Sequence, residues 1–298
     1  MRDLPNIIRR LWQIITFPFR ILWKLVVFPF KAFKRASIFL TEDFEDPPVT
    51  EAFTAIIKQP SALLEHVDAL RKHLTRIFIA LVIGTVIGAA FATRIIDILS
   101  KPIGGINTLQ AIDVTESVGV FMRVALIAGF SLALPYIAFE LWLFAAPGLH
   151  ARARQMGLLG IPLTLLFFIG GVSFAYYLLL PTALPFLLSF MGIHTVPRVS
   201  SYVDFVTGLL FWIGIAFEFP LVIYVLSLMG LVKPQWLAKY WRYAIVIIAI
   251  IAAAVTPTVD PVNMSLVMAP MILLYFLSIG LSQMAVMGRR RIKIEPVE

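Results

Sequence analysis

Apolar residues run along this chain in long blocks, roughly 75–94, 119–145, 158–180, 205–229, 242–255 and 265–284. A helix crosses a hydrocarbon core of roughly 30 Å with about 20 such residues. The pattern therefore predicts an all-α polytopic membrane protein with six transmembrane helices. The fifth and sixth blocks are short. Between them TPTVDPVN (256–263), with two prolines and an aspartate, must turn, so the pair reads as a tight helical hairpin at the lower limit of spanning length.

Composition agrees. Of 298 residues, 60% are hydrophobic and 14% charged, against about a quarter charged in soluble domains. The absence of cysteine rules out disulfides and thiolate chemistry. The net charge of +8 does not point to nucleic acid, because the basic residues flank the apolar runs. That placement points to topology determinants and to a bilayer with anionic headgroups. Of 25 Lys and Arg, 21 fall in segments on one side of a six-span arrangement. Only Arg94, Lys101 and Arg198 fall in the opposite loops, and the positive-inside rule then puts both termini in the cytoplasm.

Four regions are expected. Residues 1–40 repeat LWQIITFPFR as LWKLVVFPFK eleven residues later, which keeps equivalent side chains on one helical face. Pro18 and Pro29 divide them into short amphipathic pieces, lying on the membrane surface or docking another protein. Arg and Lys interrupt them too often for the apolar core of a secretory signal. Residues 41–60 form an acidic, Pro-containing linker, 61–285 the six-span domain, and 286–298 a basic cytoplasmic tail.

The polar residues inside apolar runs carry the chemistry. A charge at the bilayer centre costs about 2.5–3.5 kcal/mol, so Glu218 should face protein or water. Pro220, two residues on, loosens the backbone. A cavity and an interhelical hydrogen bond are both open readings. Arg123 and Glu140 stand 17 residues apart, about 25 Å along a helix, too far to pair, and each is expected to snorkel to an interface. No HExxH, GxSxG or phosphate loop occurs. His66 and His73, near Glu65 and Asp68, read as solvated surface rather than a metal site. No catalytic residue, cofactor or metal is expected.

The order of motifs resembles the TatC family of twin-arginine protein translocases over about residues 61–285. The segments are EHVDALRKHL (65–74), ALPYIAFELWLFAAPGL (133–149), FFIGGVSFAYYLLLPTALPFLL (167–188), GIAFEFPLVIYVLSLMGLV (214–232), WRYAIVIIAIIAAAVTPTVDPVN (241–263) and MAPMILLYFLSI (268–279). The resemblance implies a concave bundle in a bacterial or archaeal cytoplasmic membrane. It also implies a non-enzymatic receptor that binds twin-arginine signal peptides and recruits single-span TatA-like and TatB-like partners into an oligomeric complex. The proton-motive force would drive export of folded proteins. Leu70, Arg71, Phe144, Pro147, Leu149 and Arg154 hold family positions near the signal-binding face, and Pro147 is expected to end the second span and fix the direction of the loop. Glu218 and Pro220 hold the intramembrane polar position, facing the hollow. Thr256, Pro257 and Asp260 shape the outer turn, with Asp260 as a helix cap.

Three positions depart from the family pattern. Ala69, Ala153 and Phe276 stand where glutamates are usual, and carboxylates are the groups that accept paired guanidinium bonds. Glu65, Asp68 and Glu140 are the candidates to supply that negative charge instead. A divergent family member that has lost signal recognition is the alternative. An ion-coupled solute transporter would require internal symmetry among the spans, which the sequence lacks.

Overall fold

The computed structural model describes residues 60–148, 151–158, 160–189, 196–255 and 261–292. They build α1 (Pro60–Ser100), α2 (Glu116–Ala145), α3 (Ala151–Leu158), α4 (Gly160–Phe174), α5 (Leu180–Leu188), α6 (Val199–Phe217), α7 (Phe219–Leu228), α8 (Pro234–Lys239), α9 (Trp241–Val255) and α10 (Pro261–Ile292). The extension at 1–40 and all but the last residue of the linker at 41–60 lie outside the described residues. Pro60, Pro234 and Pro261 each begin a helix, where the missing N–H costs nothing and φ is already set.

Among the described residues, five stretches are long and apolar enough to cross a membrane: Val67–Ile103, Glu116–Ala145, Gly160–Leu188, Val199–Leu228 and Met264–Met287. α9, with 15 residues, is about 22 Å long and is the short one. The expectation that the sixth is also short is corrected: α10 has 32 residues. Ser278 and Ser282 interrupt its apolar run, but both are fully buried. Ser282 shares a 2.7 Å hydroxyl contact with Ser227 of α7, and Ser278 bonds back to the Leu274 carbonyl at 2.7 Å. Hydroxyls satisfied in this way do not end a span. The tail expected from 286 begins as a continuation of the same helix, to Ile292.

The third and fourth spans each join two helices. α4 passes to α5 through a π turn at Ala175–Leu179, next to Pro181, which has no N–H to donate and whose ring crowds the preceding turn. α6 passes to α7 at Glu218.

α1 and α2 form the tightest antiparallel pair. A Cβ on Gly84 would stand 2.4 Å from the Gly129 carbonyl oxygen, and one on Gly88 2.5 Å from that of Ala125. Small residues one turn apart let two backbones touch where no hydrophobic effect drives helices together. The main core lies where the α1 C-terminal half, the α2 N-terminal half, the π turn and α6 meet, around Val124, Leu180, Val203 and Val206. Tyr176 and Tyr202 donate to the carbonyls of Ile98 and Leu99 at 2.8 and 2.6 Å, satisfying acceptors that the end of α1 leaves open. A second cluster joins Trp142, Ala146, Leu228 and Ala285 at the other end.

Gly129→Val should therefore disrupt α1–α2 packing, since its Cβ would meet the Thr85 backbone at 2.4 Å. We expect a loss of about 1–3 kcal/mol, read as an earlier thermal collapse of the monodisperse species in detergent. Gly170→Val, where nothing lies within 4 Å, should leave that temperature unchanged.

Candidate functional site

Glu140 stands near the C-terminal end of α2 and is only 2% exposed. Its Oε2 lies 2.6 Å from His73 Nδ1 and 3.5 Å from Arg76 Nη1, both on α1. Its Oε1 accepts from the Tyr136 hydroxyl at 2.6 Å, one turn back on α2. The His73 ring meets Phe144 edge to face, with centroids 6.0 Å apart. Glu140 therefore does not snorkel, and His73 is not simple solvated surface. A buried carboxylate facing a cation and two further partners stays inside because leaving would orphan them all.

The connection after α2 is anchored in the same region. α2 ends at Ala145, and Ala146–Gly148 forms a 3-10 turn, so Pro147 falls where the sequence expects the span to stop. Arg154 of α3 is 2% exposed and donates from Nε to the Ala146 carbonyl at 3.0 Å. A Cβ on Gly157 would lie 2.1 Å from the Trp142 ring, so α3 lies flat against α2 only because position 157 has no side chain.

Among the residues singled out by sequence, Phe144, Glu140 and Arg154 belong to this assembly. Asp68, Leu70 and Arg71 are exposed on the first turns of α1, and Pro147 is exposed on the connection. Glu65 lies on α1 by backbone position, while Leu149, Thr256, Pro257 and Asp260 lie outside the described residues. Ala69 is half-buried and Phe276 faces outward. His73, Arg76 and Tyr136 were not anticipated as partners. A histidine and an arginine one turn apart at the mouth of an apolar helix were the available signal.

Glu218 is the joint of the fourth span. Its N–H turns to the Ile215 carbonyl at 3.0 Å, and helix resumes with Leu221 and Val222 donating to the Glu218 carbonyl. Pro220, buried at the start of α7, supplies no N–H and so permits the break. Oε1 of Glu218 is buried with no hydrogen-bond partner. The carboxylate does meet the Phe168 backbone of α4, an interhelical contact, while Oε1 itself finds no donor. One turn earlier Gly214 packs against the Phe168 ring. Phe168 in turn lines an apolar groove of about 530 Å³ bounded also by Phe91, Leu132 and Phe211, with Arg94, Ser131 and Thr207 as its polar members.

The opposite end of the bundle is closed by polar contacts. Arg123 pairs with Asp204 at 2.9 Å and donates to Thr207 Oγ1 at 3.0 Å, with both charged side chains half-exposed. Glu116 accepts from the Ile112 and Ser200 amides at 3.0 and 2.7 Å and faces Arg198 at 3.4 Å. Asp113 accepts from the Thr115 amide, which holds its carboxyl below the ordinary range. Gly104 and Gly105, at φ 95° and 103°, turn the chain out of α1 in a conformation that disfavours other residues.

These features define a polytopic all-α membrane protein braced by intramembrane polar contacts. The model of the Sec-independent protein translocase protein (TatC) family matches residues 65–270. The Sec-independent protein translocase protein TatC of Koribacter versatilis is 33% identical over 261 residues, covering 85% of this chain and 96% of that protein. That of Aquifex aeolicus is 34% identical, covering 78% and 98%. A crystal structure of the twin-arginine translocase receptor TatC superposes with a TM-score of 0.60 at 34% identity, covering 74% of this chain and 99% of that one. Another, in DDM, superposes with 0.63 at 35% identity. The chain belongs to the TatC family and is a component of the twin-arginine translocation system.

The Glu140 network makes a graded prediction. Glu140→Ala should cost about 1–3 kcal/mol by removing the hydrogen bonds to His73 and Tyr136 together, and Tyr136→Phe about 1 kcal/mol by removing one hydrogen bond. Thermal unfolding of the purified variants in detergent, compared with the parent, checks the order.

Proposed function

We propose that this chain is the signal-binding receptor of its translocase. It takes paired-arginine leaders at the basic-rich end of the bundle, with single-span TatA-like and TatB-like subunits packing against its intramembrane surface. Export of folded proteins is driven by the proton-motive force. The carrying observation is Glu218, a carboxylate inside a span with Oε1 buried and unpartnered at a helix break. Such a group is costly to keep unless something outside the chain completes it, and a polar position on a partner helix or signal peptide does so. Glu218 and Pro220 are thus the intramembrane partner site. The bias of Lys and Arg toward one side supports a cytoplasmic membrane location with both termini inside.

At the basic-rich end, Glu140 contributes little free negative charge, because His73, Arg76 and Tyr136 already occupy its oxygens. Asp68, exposed on α1, and Glu65, three residues earlier on the same helix, are the carboxylates we assign to the paired guanidinium groups. Leu70, Arg71, Phe144, Pro147 and Leu149 complete the face, with Arg154 holding the connection in place.

A second reading is favoured by Ala69, Ala153 and Phe276, which place no acid where the family usually has one. In it, the chain is a scaffold that keeps the fold and the partner contacts but binds no signal.

Complementation separates the two. In cells lacking their own receptor, this chain should export a folded reporter carrying a paired-arginine leader. Failure, with partner subunits still co-purifying, would select the scaffold. For the binding face, Asp68→Asn combined with Glu65→Gln should weaken a paired-arginine peptide about tenfold, the loss expected for charge-assisted hydrogen bonds of about 1.5–3 kcal/mol. Unchanged affinity in that variant rejects the assignment.

A further inference from the structure

We propose that the groove between the α7–α8 connection and the C-terminal part of α10 binds the headgroup of an anionic phospholipid. The groove has a volume of about 580 Å³, within the range of about 300–1,000 Å³ typical of small-ligand sites. Lys233, Gln235 and Gln283 bring its polar groups, and Val286 and Met287 an apolar wall. A headgroup with its first acyl carbons needs that division.

The groove is built rather than incidental. Gly230, at φ 78°, turns the chain out of α7, and the Leu231 amide returns to the Leu226 carbonyl at 3.0 Å. Ser227 and Ser282 join α7 to α10 below it, and the Tyr275 hydroxyl donates to the Leu237 carbonyl at 2.7 Å, fixing α8 against α10.

Depth and charge specify the ligand. Trp236, Tyr240, Trp241 and Tyr243 are exposed beside the groove, the residue types that settle at the level of lipid headgroups. Lys233 Nζ sits 5.3 Å over the Trp236 ring, which holds the ammonium at that level. No acidic residue occurs between Glu218 and Asp260, or between Asp260 and Glu295. The surroundings instead contain Lys239 and Arg242. α10 continues through Arg289–Arg291, and position 290 falls in helical register with Gln283, Val286 and Met287. A basic groove between helix ends, with no acidic side chain among the residues that line it, attracts a lipid phosphate.

The test uses the full chain in nanodiscs of phosphatidylcholine doped with photoactivatable phosphatidylglycerol. Cross-links should concentrate on peptides spanning 232–235 and 283–287. Lys233→Gln should reduce them about fivefold, the factor expected for one basic residue worth about 1 kcal/mol at a lipid surface. Lys101→Gln, at the opposite end of the bundle, should leave them unchanged, and excess inorganic phosphate should not displace the lipid. Cross-links spread evenly over the apolar surface would overturn the proposal. So would equal labelling by a phosphatidylcholine probe, equal loss in both lysine variants, displacement by phosphate, or a co-purifying protein segment occupying the groove. Mapping on the unmutated chain keeps the proposal open to refutation even if Lys233→Gln fails to assemble.

Discussion

Water is absent from the hydrocarbon layer, so a polar group carried into it must be completed from within the protein. This constraint explains more of the structure than the apolar packing does. Glu140 is completed by His73, Arg76 and Tyr136, and that contact registers the start of α1 on the end of α2. Arg123 is completed by Asp204 and Thr207, which registers α2 on α6. Buried serines register α7 on α10. Glycine contacts bring the backbones together between α1 and α2 and between α4 and α6. Glu218 stands apart, because its buried Oε1 has no donor.

The contrast between the two glutamates links packing to function. Glu140 has a structural assignment: neutralised and enclosed, it braces the platform on which α3 and the exposed start of α1 are displayed. Glu218 stabilises no contact through Oε1. It sits where α6 gives way to α7, beside a proline that prevents a continuous hydrogen-bond ladder. A helix break with an acid completed on one side only, by the Phe168 backbone, suits a site that a second molecule finishes.

The spans were legible in the sequence because run length is a local property, and so was the stop at Pro147, which follows from proline geometry. The partners of Glu140 were not, because His73 is 67 residues away and nothing local shows which helices touch. The snorkelling expected of Glu140 failed for the same reason: it assumes that lipid or water is the neighbour. The sixth span looked short because its apolar run stops short of Asn263 and Arg289, whereas the helix continues past both, from Pro261 to Ile292. The family resemblance located Glu218 and Pro220 together, and the structure adds the absent donor. The departures at Ala69 and Phe276 remain visible as a half-buried methyl and an outward ring.

The central claim is that Glu218 is kept at a cost to the isolated chain, for the benefit of a complex. The most direct measurement pairs the thermal stability of purified Glu218→Leu with export of a paired-arginine reporter in the same variant. The account predicts a chain at least as stable as the parent, by up to about 1 kcal/mol, with export lost. A marked fall in stability would show that the carboxylate is a structural tie, and undiminished export would show that no partner uses it.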